Sequence, residues 1–246
     1  MSATKVAVGV LAIMVLGLAG YAILNTAYYN LAGTSALEQP PTSEARQGYG
    51  PQGVREVNSQ PLLNIPPGEL SEEGMESILY MREEEKLARD VYLYLYDKWG
   101  LQIFQNIARS EQQHMDMVKT LIDRYGLEDP AKERGVFTNP DLQELYNELI
   151  QRGSQSPEEA LKVGALIEEV DIKDLKEWLS KVDNADIIQV YENLMRGSRN
   201  HLRAFTSVLK QYGITYQPQV LSVEEYTSII GGEMETGSGR GRGRKG

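Results

Sequence analysis

Between residues 71 and 215 apolar side chains recur with a helical period, and short breaks divide the run into four long segments and one short one. Ser71-Glu72-Glu73-Gly74 is a helix start with Ser71 as N-cap, and this helix runs to Lys98-Trp99, where Gly100 stops it. The second covers Gln102 to Tyr125 and stops at Gly126. Asn139-Pro140-Asp141 opens a short helix reaching Arg152, with proline at the favourable first position. Ser156-Pro157-Glu158-Glu159 opens a third long helix by the same device. It ends before Asp183-Asn184-Ala185-Asp186, which starts a fourth running to Tyr212 and stopped by Gly213. No alternating strand pattern of useful length interrupts them, so the expected fold is all-α, a four-helix bundle.

A turn of about 100° per residue identifies the inward face of each helix. In the first, Ile78, Met81, Ala88, Tyr92, Leu95 and Trp99 form a stripe containing Glu85, with Glu84 at its edge and Glu83 pointing away. In the second, Phe104, Ile107, Val118, Leu121, Ile122 and Tyr125 share a face with Glu111 and His114. The third long helix carries Glu168 in the middle of the stripe Leu161, Ala165, Ile172, Leu175 and Leu179, with Glu169 to one side. The fourth places Ser198 and His201 among Ile187, Tyr191, Leu194, Phe205, Val208 and Tyr212.

His114 and His201 are the only histidines of the chain. Glu111 and His114 are three residues apart, a spacing that puts both on one helix face within reach of one ion. A buried unpaired carboxylate costs several kcal/mol, and three at one level of a core demand a cation. Arg89, Arg109, Arg196 and Arg199 are the competing partners, in which case no metal is needed. The chain has no cysteine, so a metal site would be built from carboxylate and imidazole, which suits iron, manganese or zinc. Expected ligands are Glu85, Glu111, His114, Glu168 and His201, with Glu169 as the substitute for Glu168.

These residues resemble the ferritin-like superfamily, and rubrerythrins especially. Glu85-Lys-Leu-Ala88-Arg89-Asp-Val-Tyr92 resembles the first-helix Glu-x-x-Ala-Arg-x-x-Tyr of rubrerythrins, whose glutamate is an iron ligand. Glu111-Gln-Gln-His114 is similar to their second-helix Glu-x-x-His, and Ile167-Glu168-Glu169 stands at the third-helix glutamate. The pieces EEEKLARD, SEQQHM, IEEVDIKDL and GSRNHLRAF resemble an uncharacterised prokaryotic ferritin-like domain family. The resemblance implies a ferritin-like bundle over residues 71–215 that holds one or two ions of iron or manganese. The implied chemistry is oxidation of Fe(II) or reduction of peroxide or oxygen. It also implies a second Glu-x-x-His on the fourth helix, where this chain has Ser198 in place of the glutamate.

Outside the bundle, Val6 to Leu24 is an uncharged apolar run preceded by Lys5, within a segment of residues 1–30. It is long enough to span a bilayer, with Tyr28 and Tyr29 at an interfacial position. The two readings are a transmembrane anchor and a signal helix cleaved near Thr34-Ser35-Ala36. The positive-inside rule puts the following domain on the extracytoplasmic side; cleavage would make it secreted. Residues 31–70, rich in proline and glycine, read as a linker. Residues 216–246 form a C-terminal extension whose Gly/Arg-rich end, GSGRGRGRKG, reads as a disordered tail. The net charge of −10 argues against a nucleic-acid partner. Self-association into a homo-oligomer is compatible with the bundle. The competing function is a non-enzymatic surface or assembly protein that uses the bundle as an interaction module.

Overall fold

The computed structural model describes residues 65–236. The uncharged run at Val6–Leu24, nearly all of the proline-rich linker and the Arg-rich end lie outside them. Among the described residues all regular structure is helical, in six helices: α1 (Glu72–Trp99), α2 (Gln102–Tyr125), α3 (Pro140–Gly153), α4 (Pro157–Leu179), α5 (Ala185–Gln211) and α6 (Val223–Gly231). No described helix is long and apolar enough to cross a membrane.

Local chemistry sets the helix ends. The Ser71 hydroxyl accepts from the Gly74 amide at 3.0 Å, and Glu72 and Glu73 place negative charge at the positive end of α1. Gly100 ends α1 at φ 65° and Gly126 ends α2 at φ 66°, a left-handed conformation that a side chain would strain. Asn139 and Ser156 cap α3 and α4, each followed by proline.

Only Gly100 and Leu101 separate α1 from α2, so the two fold back on one another; α4 and α5 make the second hairpin. The connection between hairpins is long and carries α3, which packs on α1 and α4. The outer side of α1 secures this crossover. The Glu83 carboxylate accepts from the amides of Thr138 (2.5 Å) and Asn139 (2.9 Å). Lys86, fully buried, donates to Asp90 at 2.6 Å and to the Val136 carbonyl at 3.0 Å. Glu83 does point away from the bundle axis, as its helical angle requires, yet it is buried because the crossover covers it.

The sequence pattern assigned no helix beyond residue 215. Here α6 and the preceding segment bury Tyr216, Leu221, Tyr226 and Ile229 against the bundle. The apolar core is divided in two. One cluster gathers Tyr92, Phe104, Leu166 and Phe205 with the crossover and the C-terminal segment. The other gathers Ile78, Met81, Leu121, Trp178 and Tyr191. Glu85, Glu111, His114, Ser198 and His201 fall between them along their helices, and Glu168 joins them from within the first cluster, so a polar layer crosses the bundle.

Candidate metal centre

Each long helix brings its polar residue to this layer from its apolar stripe. Glu85 comes from α1, Glu111 and His114 from one turn of α2, Glu168 from α4 and His201 from α5. All five are buried, the most exposed being His201 at 8%. His114 Nδ1 lies 2.8 Å from Glu111 Oε2 and 3.1 Å from Glu85 Oε2. His201 Nδ1 lies 2.8 Å from Glu111 Oε1 and 3.4 Å from Glu168 Oε2. The rings stack with centroids 5.5 Å apart. Two triads result, Glu85–Glu111–His114 and Glu111–Glu168–His201, each with its ligand atoms within 4.8 Å of one another. Glu111 belongs to both, turning one oxygen to each imidazole.

Neighbouring groups fix the orientation of these side chains. His201 Nε2 meets Ser110 Oγ at 2.9 Å, which leaves Nδ1 for the carboxylates. Tyr92 donates to Glu168 Oε1 at 2.5 Å and leaves Oε2 facing His201. His114 is seated by an absence of side chain: a Cβ on Gly197 would stand 2.4 Å from its Nε2.

Burial works against every charge here, and the facing groups decide each outcome. It pushes the Glu85 carboxyl up to about 7 even though His114 lowers it. It also raises Glu168, against the pull of His201. For Glu111 the two imidazoles overcome burial and hold the carboxyl below its ordinary range. His114 is driven well up by Glu85 and Glu111, and His201 is driven up to about 10 by Glu111 and Glu168, both against desolvation.

The donor set fits a cation. Glu85 Oε1, Glu111 Oε1 and His201 Nδ1 are buried and make no hydrogen bond, and the last two approach to 2.8 Å without hydrogen-bond geometry. Buried polar atoms are ordinarily satisfied. Three together, in a group of oxygen and imidazole donors, have the arrangement that hard or borderline divalent ions use.

Comparison with known proteins places the chain. Residues 74–233 match the family described as Uncharacterized protein domain (DUF2202). The chain belongs to this family. It is 56% identical over 181 residues to the uncharacterised protein MJ0754 of Methanocaldococcus jannaschii, spanning 73% of this chain and 98% of that protein. A crystal structure of the hypothetical protein MJ0754 superposes with a TM-score of 0.68 at 57% identity, covering 70% of this chain and 99% of that one. The match to the family takes in α6 as well as the bundle.

Glu169, the expected substitute ligand, is directed elsewhere. Its carboxylate accepts from Tyr216 Oη (2.5 Å) and from the amides of Gln219, Val220 and Leu221. The reason is geometric: a step of about 100° from Glu168 turns it out of the bundle axis, onto a segment the pattern gave no sign of. The arginines do not serve the polar layer either. Arg89 pairs with Asp90 and Gln112, Arg109 with Gln105, Arg196 with Asn193 and Arg199 with Glu235. Asp171 escaped the sequence reading although it lies three residues after Glu168 on the same face. It is buried, hydrogen-bonded by Ser198 Oγ, and driven well up by burial and by the carboxylates of Glu85 and Glu168.

Proposed function

We propose that the protein is a membrane-tethered, ferritin-like two-metal carboxylate protein whose bundle performs redox chemistry with iron or manganese. The reaction would be oxidation of Fe(II), or reduction of peroxide or oxygen. The observation that carries this reading is Glu111, whose two oxygens face two different imidazoles. A carboxylate so placed would serve both triads and make them one centre. The arrangement also follows the ferritin-like plan of two hairpins joined by one long crossover, with inward carboxylates and Glu-x-x-His. The tether rests on the uncharged run Val6–Leu24 and places the domain on the extracytoplasmic side.

In this reading Glu85, Glu111, His114, Glu168 and His201 hold the ions. When bound, such ions would supply one-electron redox couples to the reaction. The chain's own residues do the rest. Ser110 holds the His201 ring with Nδ1 inward, Tyr92 fixes Glu168, and the two apolar clusters exclude bulk water from either side.

The test is metal analysis of full-length protein prepared without chelators, followed by anaerobic loading with Fe(II) and admission of air. Two ions per chain are expected, with iron oxidation faster than in buffer and loss of both properties in His114→Ala. Protein that binds no metal and leaves the oxidation rate unchanged contradicts the reading.

A further inference from the structure

The resemblance assigns a second Glu-x-x-His to the fourth bundle helix, and α5 has Ser198 where that glutamate would stand. Three carboxylates in the two triads carry three negative charges, whereas two divalent ions carry four positive ones. A net charge left in a dry core is costly. Two more buried acids border the layer: Glu84 of α1, which shares a hydrogen bond with Asp174, and Asp171 on another helix. Asp171 of α4 is 6% exposed and one turn beyond Glu168. Ser198 Oγ donates to its Oδ2, and its Oδ1 is buried with no hydrogen-bond partner. Glu85 Oε1 is unpartnered in the same way. Both residues border one small cavity of about 10 Å³, room for one water-sized particle, walled otherwise by Glu84 and by apolar residues that include Ala88 and Val170.

We propose that Asp171 is the fourth carboxylate of the centre: it takes over from α4 the role of the glutamate missing at position 198, and it serves the ion held by Glu85, Glu111 and His114. Ser198 orients it by binding Oδ2 and leaving Oδ1 toward the cavity. The carboxylate count becomes four, and two divalent ions are neutralised. This inference rests on the two-metal reading above.

The test is a titration of metal-free, full-length protein with cobalt(II), counting bound ions after dialysis and measuring affinity by competition with a chromogenic chelator. Wild-type protein should take up two ions. Asp171→Asn keeps the shape and the acceptor for Ser198 but removes the charge; it should retain one ion and bind the second at least tenfold more weakly. Ser198→Ala, with every carboxylate still present, should weaken the second ion by a smaller factor. The double variant Asp171→Ala/Ser198→Glu, which moves the carboxylate back to α5, should recover two ions. Asp174→Asn, a buried acid one turn further along α4, is the control and should bind as wild type does. Thermal melts of each variant separate loss of fold from loss of metal. The inference alone is overturned if wild type binds two ions and folded Asp171→Asn binds two as tightly. It falls together with the two-metal reading if wild type binds one ion or none.

Discussion

The two triads share Glu111 and differ in almost everything else. The His114 side is enclosed by packing: the ring is 2% exposed, rests against Gly197, and faces Glu85, which in turn borders the small cavity. The His201 side is held by hydrogen bonds, between Ser110 and the ring and from Tyr92 to Glu168, and its ring is the more exposed of the two. Thus one imidazole is located by steric fit and the other by directional partners. A fit tolerates no added volume, while a directional partner can be removed without any change of volume. The two ion positions should therefore fail under different substitutions.

Three experiments break or sharpen this contrast, in order of expected size. Glu111→Gln removes the carboxylate common to both triads and should abolish binding of both ions. The loss should exceed the roughly 10–100-fold that removal of an outer-shell partner costs. A variant that keeps one tightly bound ion would mean that Glu111 does not join the halves. Next, Gly197→Ala should displace the His114 ring and weaken one ion by about 10–100-fold, although alanine is the better helix former by about 1 kcal/mol. Ser110→Ala should weaken the other ion by about tenfold with little change in the fold. Cobalt(II) spectra that respond identically to these two variants would erase the contrast.

The smallest effect is in pH dependence. Glu85 is pushed up to about 7 from 4.5 and His201 up to about 10 from 6.5. Over those windows the folded metal-free chain holds more protons than the unfolded one. Its stability should fall as pH rises, through Glu85 between about 4.5 and 7 and through His201 between about 6.5 and 10. Glu111, held low, is ionised in both states there and contributes no slope. Metal binding needs deprotonated ligands and strengthens with pH, so it should offset the fall. Melting temperatures of metal-free and loaded protein, compared from pH 5 to 8, should diverge by several degrees. Parallel curves would show that these groups are not the ligands.

The bundle was legible because its signals are local. Caps at Ser71, Asn139 and Ser156 and stops at Gly100 and Gly126 act over one turn, and the apolar stripes placed Glu85, Glu111, His114, Glu168 and His201 inward. What escaped depended on distant partners. Glu83 is covered by a crossover 55 residues away in sequence, and Glu169 by the segment that starts at Tyr216. No helical angle announces either contact. Asp171 was a different kind of miss. Its position three after Glu168 was readable, but the hydroxyl that orients it belongs to another helix and took the place of an expected acid.

Glu168 and Glu169 are consecutive, and the step of about 100° between them sends them to different surroundings. One belongs to the polar layer; the other receives the Tyr216 hydroxyl and the amides of Gln219, Val220 and Leu221. A single residue step therefore connects the interior of the bundle to the part of the chain that follows it. Ending the polypeptide at residue 215, where the helical pattern stops, would leave the Glu169 carboxylate stripped of these donors, one residue from a candidate ligand. The smallest autonomous unit is accordingly longer than the bundle: it must extend past Leu221, and through Glu235 if the Arg199 and Arg203 ion pairs are to be kept.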